Sequence, residues 1–162
     1  IYADGTKVWW FNNKLHRLDG PAVEHANGSK EWWVNDNRHR LDGPAVIYAS
    51  GTKTWWINGK RHREDGPAIE HVYGIKEWFV NGKLHRTDGP AVIYGNGDKE
   101  WWFNGKPHRL YGPAFEYYDG KKKWYIDGEQ YTEKEYWKKL YEMKKITKKD
   151  YLAKTGKKRN KC

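Results

Sequence analysis

The strongest constraint on the fold is a repeat of 23 residues that runs through most of the chain. The pair His-Arg recurs at this interval, with its histidine at positions 16, 39, 62, 85 and 108. Aromatic pairs keep the same interval, from Trp9-Trp10 to Trp124-Tyr125, and so does the triplet Gly-Pro-Ala. Self-similarity at a fixed interval of this length is typical of repeat architectures. Five full units and a sixth, partial one therefore cover residues 1–131.

Each unit has the pattern of two antiparallel strands joined by short turns. In the third unit, residues 53–57 are mostly β-branched or aromatic, and Asn58-Gly59 is typical of a two-residue hairpin turn. The chain turns again at Asp65-Gly66-Pro67, where proline lacks an amide donor and fixes φ. We expect an all-β fold, an elongated antiparallel β-hairpin meander of 23-residue units with a C-terminal capping α-helix and a basic tail.

The composition predicts what such a fold would bury. Aromatic residues make up 17% of the 162 residues, including 11 Trp and 12 Tyr, whereas aliphatic residues are scarce. We therefore expect an aromatic rather than an aliphatic core. In each Trp pair, one ring is expected in the core and the other on the opposite surface, because adjacent side chains of a strand point to opposite faces.

The positive charge is concentrated at the C-terminus. Of the net charge of +10, residues 121–162 carry nearly all, with 15 basic and 6 acidic residues. Thr132 and Glu135 have the spacing of a capping box, which predicts one helix over residues 133–149. Its apolar stripe, Tyr136, Trp137, Leu140, Tyr141 and Met143, is expected to cover the open end of the last sheet, and a helix that lies on a membrane or docks a partner is the alternative. The predicted regions are a repeat domain (1–131), a capping helix (132–150) and a basic tail (151–162).

The repeat resembles a known family. The segment Trp56-Ile57-Asn58-Gly59-Lys60-Arg61-His62 is similar to the MORN repeat, which has the same length and carries Trp-x-Asn-Gly-Lys-x-His. The following His-Arg-x-Asp-Gly-Pro-Ala departs from the usual form and resembles a variant common in large DNA viruses and phages. The resemblance covers about 130 of 162 residues. It implies a scaffolding role, attachment to membrane phospholipids, or an accompanying enzyme domain.

The recurring His-Arg pairs supply the first candidate site. Two roles are open for them: a local structural role, in which each Arg pairs with the Asp two residues later and each His bonds a carbonyl in its turn, or a row that binds a partner. Equivalent histidines would lie roughly 10 Å apart, too far to share a zinc ion, so we expect no metal and no cofactor. The candidate residues are His16, His39, His62, His85, His108, Arg17, Arg40, Arg63, Arg86 and Arg109.

The lysine-rich C-terminus supplies the second candidate site. Dense Lys attracts phosphate without sequence preference, so either nucleic acid or an anionic membrane surface is a candidate partner, with a solvated tail as the alternative. The candidate residues are Lys144, Lys145, Lys148, Lys149, Lys157, Lys158, Arg159 and Lys161.

We expect a non-enzymatic scaffold or binding module for a protein partner, because a feature repeated five times is unlike a single catalytic site. Polyanion binding is the main alternative, and a nucleotide-like ligand held between Trp and Arg is a further one. Self-association through strand edges is also expected. No signal peptide or membrane span is predicted, and the one cysteine, Cys162, gives no intramolecular disulfide. The resemblance suggests a viral structural or accessory protein in the virion or host cytoplasm.

Overall fold

The structure, a computed structural model, describes residues 1–156. In that range the helices are α1 (Glu133–Glu142) and α2 (Lys148–Thr155). In chain order the strands are β1 (Lys7–Val8), β2 (Trp10–Phe11), β3 (Lys14–Leu15), β4 (Val23–Glu24), β5 (Lys30–Glu31), β6 (Trp33–Val34), β7 (Asn37–Arg38), β8 (Val46–Ile47), β9 (Lys53–Thr54), β10 (Trp56–Ile57), β11 (Lys60–Arg61), β12 (Ile69–Glu70), β13 (Lys76–Glu77), β14 (Phe79–Val80), β15 (Lys83–Leu84), β16 (Val92–Ile93), β17 (Lys99–Glu100), β18 (Trp102–Phe103), β19 (Lys106–Pro107), β20 (Phe115–Glu116), β21 (Lys122–Ile126) and β22 (Glu129–Tyr131).

Each of the first five units contributes four short strands. The first and fourth strands of each unit join one 12-stranded antiparallel sheet, in which successive members are neighbours in space. The second and third strands form a separate two-stranded hairpin. The expected all-β repeat meander is therefore confirmed, although each long strand of the sequence pattern is divided in two.

The division falls at the first Trp of each pair, where the backbone changes its partner. The Trp55 N–H donates to the carbonyl of Ala68 (2.8 Å), and the Trp55 carbonyl accepts the N–H of His62 (3.2 Å). Thr54, just before it, pairs within the sheet, whereas Trp56 pairs across its own hairpin. The first Trp is thus the point at which the chain leaves the sheet.

The hairpin turns have the backbone that the Asn-Gly pairs predict. Asn58 and Gly59 both have positive φ, 49° and 73°, as a type I′ turn requires. In the second unit Asp36 takes the place of the glycine at φ 63°. Asn and Asp tolerate this region better than other side chains do, so the turn geometry is retained.

Successive units follow one another without stagger. Thr54 pairs with Ile69, Ile69 with Glu77, and Glu77 with Val92, so equivalent positions form a row perpendicular to the strands. Each unit adds two strands to the sheet, and neighbouring strands lie 4.7–4.9 Å apart, so the units repeat at roughly 9.5 Å.

Backbone hydrogen bonds also connect neighbouring units outside the sheet. The Arg63 N–H donates to the carbonyl of Phe79 in the next unit (3.2 Å). The turn amide of Gly82 donates back to the carbonyl of Arg61 (2.8 Å). Both bonds recur along the chain, so each unit is held by its neighbours as well as by its own hairpin.

The core of the repeat domain is aliphatic, so the expectation of an aromatic core is wrong there. The alanines of the Gly-Pro-Ala triplets are completely buried, and the next residue in the first four units is nearly so. These residues are Ala22, Ala45, Ala68, Ala91 and Ala114, followed by Val23, Val46, Ile69 and Val92. Most paired aromatics are only half-buried and cover this small-residue core, although Phe79 is buried and Trp10 is exposed.

An aromatic core does form at the C-terminal end. Trp124 and Ile126 of the last strand pair pack against Tyr136, Trp137 and Leu140 of α1. The capping box of Thr132 and Glu135 is present, and the prediction that this helix covers the last sheet strands is confirmed.

The prediction of one helix over residues 133–149 is wrong. The chain leaves α1 at Met143, Lys144 has φ 55°, and α2 begins after Thr147. Thr147 and Asp150 form a second capping box, and this spacing was available in the sequence as a signal for a second helix. The region predicted as tail from residue 151 therefore begins inside α2.

At the N-terminal end, β1 has a single partner strand in the sheet, β4. Trp10 is 57% and Phe11 60% exposed beside it. Self-association through this edge stays a prediction. Among residues 1–156, no helix combines the length and apolar character that crossing a bilayer requires.

Candidate binding clefts between the His-Arg loops

Three clefts of the same design lie between successive His-Arg loops, which we define as residues 39–44, 62–67, 85–90 and 108–113. The cleft between the first two of these loops has a volume of about 620 Å³. The next has about 590 Å³ and the third about 410 Å³. Because they follow the repeat, the clefts present the same kinds of side chain at a regular interval.

Each cleft combines an aromatic surface with charged loops. The cleft of about 620 Å³ is lined by Trp55 and Ile57 of one unit together with Pro44 of the preceding loop. Arg40 and Arg63 line it from the two loops. The next cleft has Trp78, Val80 and Pro67 in the same roles.

Each loop arginine stacks on a Trp and donates to the carbonyl of its loop proline, and in the first four units it also pairs with an Asp. The guanidinium carbon of Arg63 lies 4.0 Å from the centroid of the Trp55 ring, a cation–π distance. Its Nε donates to Asp65 (2.9 Å), and its Nη1 donates to the carbonyl of Pro67 (3.2 Å). The stack recurs at 3.7–4.1 Å for Arg17, Arg40, Arg86 and Arg109.

This packing explains the glycine of Gly-Pro-Ala. A Cβ atom on Gly66 would lie 2.9 Å from the guanidinium carbon of Arg63, and on Gly112 it would lie 2.8 Å from that of Arg109. Neither glycine has a positive φ, so the backbone conformation alone does not require glycine here. The glycine is required because the guanidinium packs where a Cβ atom would lie.

The predicted Arg–Asp ion pairs are present in the first four units, and they leave the carboxylates facing solvent. The Asp65 side chain is 83% exposed, whereas Arg63 is 20% exposed. The hydrogen bond from Arg63 and its charge lower the pKa of the Asp65 carboxyl, and Asp19, Asp42 and Asp88 are affected in the same way by their arginines. The two clefts of about 620 and 590 Å³ therefore present negative charge more than positive charge, whereas in the third cleft Tyr111 takes the place of one aspartate.

These lowered pKa values predict a loss of stability in acid. A carboxyl whose pKa is lower in the folded than in the unfolded state stabilises the fold above its unfolded pKa of about 4, and loses that effect as pH falls through the folded pKa. We expect the melting temperature to fall as the pH drops below about 4. Thermal melts of a variant combining Asp42→Asn, Asp65→Asn and Asp88→Asn should show a smaller fall.

The control for the acid melts is Glu133→Gln, which removes an exposed carboxylate in the first turn of α1. The melting temperature of this control should fall in acid as much as that of the unaltered protein. An equal fall in the triple aspartate variant would show that the Arg–Asp pairs do not cause the loss of stability in acid.

Odd and even units differ at the second residue after the buried alanine of Gly-Pro-Ala. In odd units this residue is Glu70 or Glu116, which binds Arg63 (2.8 Å) or Arg109 (2.6 Å). In the first unit the equivalent residue is Glu24, which lies 3.8 Å from Arg17. The even units have Ile47 and Ile93 at this position. The alternation of 46 residues in the sequence therefore has a structural counterpart.

We predict that Arg63→Gln destabilises the protein by about 0.5–1 kcal/mol more than Arg40→Gln does, because only Arg63 binds a second carboxylate. Urea unfolding of both variants measures the difference. In a double-mutant cycle with Glu70→Gln, the additional loss at Arg63 should disappear. Equal losses for the two arginine variants would refute the role given to Glu70.

The loop histidines connect neighbouring units, and they do not bond a carbonyl in their own turn as expected. The Nδ1 atom of His62 accepts the N–H of Asn81, the hairpin-turn residue 19 positions later, at 3.2 Å. Equivalent bonds at 3.1–3.4 Å join His16, His39, His85 and His108 to Asn35, Asn58, Asn104 and Asp127.

The lysine candidates lie at the other end of the described chain. Lys144, Lys145, Lys148 and Lys149 are all exposed, and Lys144 and Lys145 line a pocket of about 420 Å³ with Lys154 of α2. Lys157, Lys158, Arg159 and Lys161 lie outside the described residues.

Sequence reasoning missed the clefts because they form between units. A pattern within one unit shows that Trp55 and Arg63 recur, but not that the loop of the preceding unit lines the same cleft. No group of three or more potential metal ligands occurs in residues 1–156. No family model matches the chain, and no curated protein is detectably similar to it in sequence.

Proposed function

We propose that the chain is a non-enzymatic scaffold whose row of clefts binds an extended segment of a protein partner. The observation that carries this proposal is the recurrence of one cleft design at a 23-residue interval on an unstaggered sheet. A ligand that spans several such clefts gains affinity from each, since every further contact is intramolecular once the first has formed.

The charge at the clefts favours a protein segment over a polyanion. The arginines that line them are already stacked on Trp and paired with Asp. The exposed charges are carboxylates, which would repel phosphate groups.

The resemblance to MORN repeats belongs to the same proposal. The hairpin repeat observed here supports it at the level of architecture. A structural or accessory role in a virus or phage, with the protein in the virion or the host cytoplasm, is the setting that this resemblance suggests.

Selection of random peptides displayed on phage tests the proposed function. The unaltered protein should enrich peptides, and a variant combining Glu64→Trp and Thr87→Trp should not, because both residues are exposed at loop tips that line the clefts. Lys121→Trp is the control, because Lys121 is exposed on a turn and lines none of the three clefts. Failure to enrich any peptide over the blocked variant would refute the proposal.

A second candidate function is polyanion binding at the C-terminal end. The exposure of four lysines and the pocket that two of them line with Lys154 favour it. Replacing Lys144, Lys145, Lys148 and Lys149 by Gln should weaken binding to duplex DNA or anionic vesicles. For DNA, the slope of log affinity against log salt concentration should become shallower by about 0.9 for each lysine replaced. Replacing Lys30, Lys53, Lys76 and Lys99 of the sheet is the matched control. Equal effects of the two sets would exclude a local site.

A further inference from the structure

We propose that the clefts recognise a polyproline II segment with a basic residue at every third position. This inference rests on the scaffold function proposed above and adds the conformation and chemistry of the partner. It depends on three features of the described residues: the spacing of the clefts, their Trp and Pro surfaces, and the exposed carboxylates at their rims.

The first feature is the spacing. Two strands separate equivalent positions in successive units, so the clefts repeat at roughly 9.5 Å. A polyproline II helix has three residues per turn and rises about 3.1 Å per residue, so it repeats at about 9.3 Å. Every third side chain of such a segment would therefore meet the next cleft in the same orientation.

Other regular conformations do not share this interval. A β-strand of three residues also spans about 10 Å, but its side chains alternate, so only every second cleft would meet the same face. An α-helix rises about 5.4 Å per turn. The absence of stagger between units matters here, because a ligand crossing the strands at a right angle stays in register with the row.

The second feature is the cleft surface. Trp55, Ile57 and Pro44 line one cleft, and Trp78, Val80 and Pro67 line the next. Grooves lined by aromatic side chains bind proline-rich segments, because the segment is already in its bound conformation and loses little entropy on docking.

The third feature is the charge at the rims. The side chains of Asp42, Asp65 and Asp88 are 77–83% exposed, and that of Glu64 is 89% exposed. Their arginine partners are only 20–23% exposed. A basic side chain at every third position would reach one of these carboxylates at each cleft.

The direct test is a titration with fluorescent peptides of the repeating triplet Pro-Pro-Lys, followed by anisotropy. Affinity should rise about fivefold from one triplet to two and again from two to three, and then level off once the three clefts are filled. A peptide of Pro-Pro-Glu triplets should bind at least tenfold more weakly. A peptide with the same composition as Pro-Pro-Lys but with lysines alternately two and four residues apart should lose the gain with length.

Variants of the protein locate the binding. The combination of Asp42→Asn, Asp65→Asn and Asp88→Asn retains an oxygen that can accept the arginine bond but removes three charges. It should weaken binding of the five-triplet peptide by about tenfold. The matched control removes Asp4, Asp119 and Glu133 instead, and it should leave the affinity unchanged. Thermal melts at neutral pH verify that both variants are folded.

The outcomes separate this inference from the proposed function. Enrichment of displayed peptides that have no three-residue periodicity, together with no binding of Pro-Pro-Lys, would overturn the inference and leave the scaffold proposal in place. Equal affinity for the periodic and aperiodic peptides, or for single-stranded poly-uridine at the same clefts, would also overturn it. Failure of the whole display selection would refute the scaffold proposal as well.

Discussion

Replacing Tyr136 by alanine will detach the C-terminal cap from the repeat domain and lower the free energy of unfolding by about 3–5 kcal/mol. Tyr136 is completely buried against Trp124 and Trp137. Its hydroxyl donates to the carbonyl of Arg109 (2.6 Å) and accepts the N–H of Gly112 (3.2 Å). The substitution therefore creates a cavity and leaves two backbone groups without their partner. Urea unfolding followed by tryptophan fluorescence measures the loss.

Two further variants separate the contributions of Tyr136. Tyr136→Phe keeps the ring and removes the hydroxyl, so we expect a loss of about 1–2 kcal/mol. Tyr141→Ala removes an aromatic ring that is 38% exposed on the same helix, and it should cost less than about 1 kcal/mol. In hydrogen exchange, Tyr136→Ala should lower protection mainly near the cap. A uniform loss of protection along the chain would contradict this local role.

Replacing Phe79 by alanine will destabilise the centre of the repeat domain by about 3–5 kcal/mol. The Phe79 ring is buried against Ala68 and Ile69, with Trp55 and Leu84 packed beside them. Since stability in a repeat protein depends on contacts between neighbours, a cavity at this position weakens the connection between the two halves. We therefore expect the thermal transition of this variant in calorimetry to be broader than that of the unaltered protein, or to divide in two.

Phe103→Ala is the control for Phe79, because it removes the same side chain where it is 41% exposed. Its cost should be about 1 kcal/mol or less, and its transition should stay single. Comparable losses for the two variants would show that burial at the second aromatic position does not determine the stability of the units.

Much of the fold could be predicted because each unit repeats the same local signals. Asn58-Gly59 predicts the hairpin since both residues tolerate positive φ, and the structure has this turn. The Arg63–Asp65 pair follows from their separation of two residues. Thr132 and Glu135 predict the start of α1, because their side chains satisfy amide groups that a helix leaves free.

The remainder depends on contacts between units, which a single unit does not reveal. The complete burial of Ala68 results from the close packing of its neighbours, whereas composition alone favoured aromatic residues. The bond from Asn81 to His62 crosses 19 residues, so local spacing suggested a partner within the turn instead. The break of the C-terminal helix at Lys144 was missed because the lysines on both sides of Ile146 and Thr147 have good helix propensity.

The unstaggered register has a consequence for how such a chain can change its length. Insertion or loss of one unit would leave every remaining strand opposite an equivalent partner, so recombination between repeats can produce longer or shorter proteins in steps of roughly 9.5 Å. The glutamates that bind Arg17, Arg63 and Arg109 occur in alternate units. Only a gain or loss of two units together preserves that alternation, so related chains are expected to differ in length by multiples of 46 residues.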